Sequence, residues 1–263
     1  MSASRWITAR HAVPRVLIAL VAAVTGVTLG APVRTVAEAR VLVVPYGQTS
    51  PVGALFAITT AGRLGSHFCT ASVVDSAAGD LLVTAAHCVP RHAAGELAFV
   101  PGYRGGRRPD GIWRVSRVLV DERWRAARDP DDDFAFLTVR RAGRKASLEA
   151  VTGAVALAVG EPAGLRIVAA GYPDTESRLV SCSNTARAFS ATQFTFSCAG
   201  FADGTSGGPL LADVRPAAGL DTVIGVIGGY QLGGKTPSVS YAARFGGRLA
   251  ALYRRALAEA GRR

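Results

Sequence analysis

Three short motifs, met in order along the chain, carry the residue types that together perform acyl transfer. Thr84-Ala85-Ala86-His87-Cys88 holds a histidine, Asp133-Phe134-Ala135-Phe136-Leu137 an aspartate, and Gly204-Thr205-Ser206-Gly207-Gly208-Pro209 a serine. A free serine hydroxyl is a weak nucleophile; a histidine that takes its proton, oriented by an aspartate, is what activates it. The glycines around Ser206 leave its hydroxyl unscreened and let the chain turn tightly enough to aim backbone N–H groups at a substrate. Each residue alone has a plainer reading: a histidine bonded to a carbonyl, an aspartate capping a turn, a Gly-Thr-Ser-Gly turn. The three motifs in one order favour the chemical reading.

The elements that must position these residues are short. Apolar, β-branched runs recur between Gly, Pro, Asp and Ser: Ala54–Thr59, Ala71–Val74, Leu81–Thr84, Val115–Val120, Phe134–Val139, Ala154–Val159, Arg166–Ala170 and Thr222–Ile227. Regular strand-length runs of this kind predict an all-β barrel or sandwich. Only the end differs. Leu249, Leu252, Tyr253, Ala256 and Leu257 repeat at helical spacing and predict an amphipathic helix over Gly247–Glu259. The charged, Ala/Gly-rich stretch from Arg140 to Gly153 reads as the connection between two halves.

The N-terminus reads as an export signal. Arg5, Arg10 and Arg15 precede an uncharged apolar run from Val16 to Leu29, too short for a membrane span of about 20 residues and suited to a signal core. Ala37-Glu38-Ala39 supplies a cleavage site, so the expected signal peptide is residues 1–39, with the mature chain starting at Arg40 and no stable membrane insertion after cleavage; an earlier cut near Ala31 and an uncleaved signal anchor are the alternatives. Export gives the cysteines meaning: Cys69, Cys88, Cys182 and Cys198 are an even number in an oxidising setting, hence two disulfides, though sequence order alone leaves three pairings open. A zinc site from His67, Cys69, His87, Cys88 and His92 lacks the C-x-x-C or H-x-x-x-H spacing such sites use. No metal and no cofactor is expected. The net charge of +11 comes almost wholly from arginine, with Lys145 and Lys235 the only lysines. Its densest mature cluster, Arg104, Arg107 and Arg108, sits in a Gly-rich loop without interleaved aromatics, so nucleic acid is not an expected partner.

With these residues in view, the chain resembles the trypsin-like, chymotrypsin-fold serine protease superfamily in its secreted bacterial form. All three motifs match the superfamily's signature blocks in its order, and Gly225-Val226-Ile227-Gly228-Gly229-Tyr230 is similar to a stretch that some bacterial members carry after the serine. The resemblance spans residues 50–255. It implies an all-β fold of two packed six-stranded antiparallel β-barrels with a C-terminal helix, the first half over residues 40–145 and the second over 146–263. It implies that Ser206 attacks the scissile carbonyl, that His87 shuttles the proton, and that Asp133, placed just before an apolar strand, orients His87, leaving Asp131 and Asp132 as loop residues. The N–H groups of Gly204 and Ser206 would form the oxyanion hole. A Cys69–Cys88 bridge would tether the histidine loop and Cys182–Cys198 would close a loop ahead of the serine. Polypeptides are the implied substrates of a monomeric, extracellular endopeptidase. The alternative on the same scaffold is a catalytically idle extracellular binding protein.

Two departures stand out. Digestive members carry an aspartate before the serine that pairs with a newly cut N-terminus; here that residue is Thr205, and no Ile-Val-Gly-Gly start lies near Arg40. Neither an Arg/Lys nor a glutamyl preference is implied, because the only nearby acid, Asp203, adjoins the oxyanion glycine Gly204 too closely to sit at a pocket floor and no histidine follows His92. An α/β-hydrolase reading of Gly204-x-Ser206-x-Gly208 fails, since that fold needs its histidine after the serine and His11, His67, His87 and His92 all precede it. A subtilisin reading would need alternating strands and long helices that the pattern lacks.

Overall fold

A computed structural model describes residues 50–89, 94–143, 145–213 and 221–260; the expected export segment, the start at Arg40 and His92 lie outside them. Six strands make the first half: β1 (Val52–Ile58), β2 (Leu64–Val74), β3 (Leu81–Thr84), β4 (Leu97–Pro101), β5 (Trp113–Val120) and β6 (Ala135–Arg140). They join in the order β1-β2-β3-β6-β5-β4, and β4 returns to β1 to close the barrel, every pairing antiparallel. On β5, Trp113 and Val115 face inward while Arg114 and Arg117 are exposed, the alternation breaking at a bulge between Val115 and Arg117.

Strand β3 shows why its sequence is apolar throughout. Leu82 enters the first barrel's core with Leu55, Phe99 and Trp113. Leu81 and Val83 point the other way, into a second cluster with Phe136, Val226 and Leu249. A strand buried on both faces cannot alternate apolar with polar residues.

The second half contains β7 (Ala156–Leu157), β8 (Arg166–Gly171), β9 (Val180–Thr185), β10 (Arg187–Ala188), β11 (Gln193–Ser197), β12 (Pro209–Ala212), β13 (Thr222–Ile227) and β14 (Val239–Arg244). It is the expected second barrel, nearly closed; among the described residues eight strands take part where six were expected, β7 lies parallel to β13, and the path β10-β11-β14-β13-β12-β8-β9 stops short of closure. The gap is stapled. Cys182 on β9 is bonded to Cys198 just past β11, and Asn184 Nδ2 donates to the Ser197 carbonyl across the same seam. Phe194, Ile224 and Leu210 fill the interior.

Between the barrels lies the cluster that β3 enters. Leu211, Val223, Val226 and Phe245 contribute from the second barrel, and α3 (Gly247–Ala260) adds Leu249, Leu252 and Ala256. Burying a leucine side chain is worth about 1.5–3 kcal/mol, so these contacts anchor the helix across both halves. Two short helices were not expected: α1 (Glu122–Ala127), capped by the Asp121 carboxylate on the Arg123 N–H, and α2 (Leu148–Thr152), capped by Ser147 on the Ala150 N–H, which lies within the Arg140–Gly153 stretch expected as a plain connection. The Arg104–Arg108 cluster occupies an exposed turn whose ends meet through an Arg104–Arg107 bridge.

Candidate active site

Each motif sits at a turn beside a strand, His87 just after β3, Asp133 just before β6 and Ser206 just before β12. After β3 ends at Thr84, residues Ala86–Cys88 form one turn of 3-10 helix that presents His87, and the Cys88 sulfur is bonded to Cys69 on β2. Both sulfurs are thereby committed to the disulfide, leaving no thiolate to join His87 around a metal. His67 is placed elsewhere, buried among Phe56, Tyr103 and Tyr172 with Nε2 donating to the Pro173 carbonyl at 2.9 Å.

Asp133 follows a one-turn helix (Pro130–Asp132) and precedes β6. Fully buried, its carboxylate accepts three N–H groups: Oδ2 takes His87 Nδ1–H at 2.7 Å and the Gly229 N–H at 2.8 Å, and Oδ1 takes the His87 backbone N–H at 2.8 Å. A carboxylate only accepts, so the network assigns the ring proton to Nδ1 and leaves the Nε2 lone pair free as a base. The neighbouring glycine is a close fit. A Cβ on Gly228 would stand 2.7 Å from Asp133 Oδ2.

Asp131 and Asp132 are more than loop residues. Asp131 Oδ1 accepts from Gln193 Nε2 at 2.7 Å. Asp132, buried, accepts from Arg248 Nε of α3 at 2.8 Å, while the same guanidinium reaches Asp121 at 2.5 Å. Burial raises the Asp132 carboxyl above its ordinary value, and the Arg248 bond works against that rise.

Ser206 lies in a loop clasped by the first barrel. Thr70 on β2 donates its N–H to the Ser206 carbonyl at 2.8 Å and its hydroxyl to the Gly204 carbonyl at 3.0 Å, while accepting the Tyr172 N–H at 2.8 Å. Gly207, at φ +79°, is pressed so closely onto Thr84 and Ala85 that a Cβ would fall 2.1 Å from Thr84 Oγ1. The serine loop therefore abuts the segment that leads into His87. Gly204, at φ +92°, leaves no room for a side chain, and neither its N–H nor that of Ser206 meets an acceptor among the described residues. Ser206 Oγ donates to the Leu232 carbonyl at 3.4 Å. Beside it opens a cavity of about 240 Å³, apolar where Phe201, Ile227 and Leu232 line it and polar at Asp203, Lys235 and Thr236. Thr70, Gln193 and Leu232 were missed from sequence; only Thr70 carried any signal there, as the neighbour of Cys69.

A family model of the trypsin-like peptidase domain matches residues 65–215. The chain belongs to the trypsin-like peptidase family. It is thus a serine-type endopeptidase by membership. Protease Anisep from Arthrobacter nicotinovorans superposes with a TM-score of 0.68 at 24% identity, over 81% of this chain and 98% of that one. The thermostable serine protease AL20 from an extremophilic microorganism gives 0.66 at 25% identity, over 80% and 98%. A Glu endopeptidase in complex with MPD gives 0.62 at 16% identity, over 84% and 97%, a likeness of fold alone. Among curated proteins, none matches the chain.

Proposed function

We propose that this chain is a secreted, monomeric serine endopeptidase that cleaves polypeptides through an acyl-enzyme, with residues 40–145 supplying His87 and Asp133 and residues 146–263 supplying Ser206. The observation that carries the reading is the Asp133–His87 pair beside a glycine-rich serine loop whose N–H groups at Gly204 and Ser206 meet no acceptor among the described residues. Ser206 Oγ attacks the scissile carbonyl as His87 Nε2 takes its proton. The N–H groups of Gly204 and Ser206 stabilise the oxyanion, and His87 returns the proton to the leaving amine. Water then repeats the cycle on the ester. The Asp133 carboxylate holds the Nδ1 tautomer and stabilises the imidazolium. Two disulfides and the sequence signal at residues 1–39 support export, and no helix among the described residues is long and apolar enough to cross a membrane.

A second reading, an idle binding protein on the same scaffold, has one observation in its favour: Ser206 Oγ bonds Leu232 and makes no hydrogen bond to His87. That bond is long, and a change of one side-chain rotamer re-aims the hydroxyl. A fluorophosphonate probe separates the readings. Labelling of the wild-type protein that disappears in Ser206→Ala, together with loss of casein hydrolysis, supports the protease; an unlabelled wild-type protein supports the idle scaffold. The residual rate in Ser206→Ala should be only the roughly 10³–10⁴-fold enhancement over water that binding and the oxyanion hole supply.

A further inference from the structure

We infer that Gln193 is a positioning residue for the triad, a crossbar between barrels that holds the Gly229 N–H on Asp133. Gln193 opens β11 and is 4% exposed. Its side-chain amide is used at both ends. Nε2 donates to Asp131 Oδ1 at 2.7 Å, and Oε1 accepts the Tyr230 N–H at 2.7 Å. The amide orientation is fixed by chemistry, because a carboxylate can only accept and a backbone N–H can only donate.

The two partners matter because of what stands next to each. Asp131 is two residues before Asp133, in the turn that delivers the catalytic carboxylate from the first barrel. Tyr230 directly follows Gly229, whose N–H donates to Asp133 Oδ2 at 2.8 Å. One amide therefore ties the turn carrying the acceptor to the turn carrying the donor, across the junction between the barrels. The fit is tight from the other side as well. Gly229 sits at φ +75°, and a Cβ there would fall 2.7 Å from Gln193 Oε1 and 3.0 Å from the Pro130 carbonyl. Gly229 donates one of the three N–H groups that hold the Asp133 carboxylate against His87. Loosening the crossbar frees that donor and lets the carboxylate turn away from Nδ1. The inference rests on the protease reading above but concerns only how its acid is held.

The experiment exchanges donor and acceptor without changing shape. In Gln193→Glu one oxygen keeps the Tyr230 N–H while the other faces the Asp131 carboxylate, so the crossbar is repelled. Adding Asp131→Asn supplies an amide N–H to that oxygen and rebuilds the link with its polarity reversed. The measurements are kcat, KM, the rate of fluorophosphonate labelling and the thermal midpoint, with the low-field proton resonance of His87 Nδ1–H as a readout that needs no turnover. Gln193→Glu should lower kcat and labelling by about tenfold, the cost of one weakened hydrogen bond to a charged group, with KM nearly unchanged. The double variant should recover most of the rate and the resonance. A Gln193→Glu protein with wild-type labelling and an unmoved resonance overturns the inference, as does a folded double variant no better than the single one. A wild-type protein that does not label at all sinks the protease reading; the resonance still tests the crossbar.

Discussion

The Ser206 hydroxyl is tied to the carbonyl of Leu232, a residue held in the left-handed region at φ +57°. Gln231 before it is left-handed as well, at φ +53°. Both belong to the turn Tyr230–Gly233, and the left-handed region costs an L-residue about 1–2 kcal/mol. The turn that engages the Ser206 hydroxyl is tied to the second barrel by the Tyr230 N–H on Gln193 Oε1 and closed on itself by the Gly234 N–H on the Gln231 carbonyl.

Replacing Gln231 with glycine tests that strain. Glycine normally weakens a fold by enlarging the unfolded ensemble, but here it relieves a left-handed side chain. Gln231→Gly should leave stability unchanged or raise it by up to about 1 kcal/mol in chemical denaturation. A loss of more than that amount would mean the turn is not strained.

Asp133→Asn should reduce kcat by about 10⁴, by analogy with the wrong-tautomer effect in related triads. The amide retains one acceptor oxygen and turns an NH₂ toward a site where three N–H groups already point inward. Asp132→Asn keeps an acceptor for Arg248 and should change turnover little. Steady-state kinetics on a peptide substrate distinguish the two, and the reverse order would move the acid by one position.

Arg248→Ala should destabilise the fold in a pH-dependent way. Burial raises the Asp132 carboxyl above 3.8, so the stability tied to its protonated form is fully present below that value and is lost as pH rises through the higher folded value. Removing Arg248 deletes the partner that opposes the rise and leaves a buried oxygen without its donor, at about 1–3 kcal/mol. Thermal melts should show the deficit growing from about pH 4 to neutrality, across the carboxylate range. An equal deficit at both ends would show that packing, not the ion pair, was lost.

A recombinant chain starting at Arg40 with a short tag ahead of it should be active before the tag is removed. The serine loop is held from within: the buried Thr205 hydroxyl donates to the Ala202 carbonyl at 2.8 Å, and Thr70 grips the carbonyls on either side. Activity that appears only after tag removal would assign the N-terminus a role in setting the loop.

What the sequence disclosed was local. Leu81–Thr84 and Thr222–Ile227 are strands with the expected bounds, and the helix expected over Gly247–Glu259 runs one residue further. Each is marked by its own periodicity or β-branched run. Strand β2 begins earlier than the apolar run at Ala71, because Leu64–Phe68 is drawn into the barrel by pairing with β1 through two irregularities, which no local pattern records. The motifs for His87, Asp133 and Ser206 were visible for the same local reason. The contacts that set them were not: Thr70 to Gly204 and Gln193 to Asp131 link residues 134 and 62 positions apart. The caps at Asp121 and Ser147 are residue types that start helices, but the helices behind them span only six and five residues, too short to show a helical period against the Val115–Val120 run and the Arg140–Gly153 connection.

Asp131, Asp132 and Asp133 answer to three different elements: a strand of the second barrel through Gln193, the C-terminal helix through Arg248, and the histidine turn through His87. A stretch that reads as a run of interchangeable acids is a three-way junction, and its spacing matters more than its charge. Because all three are aspartates, losing any one leaves the same two-acid sequence with three partners to serve, so this loop cannot shorten without one of its three links going unmade.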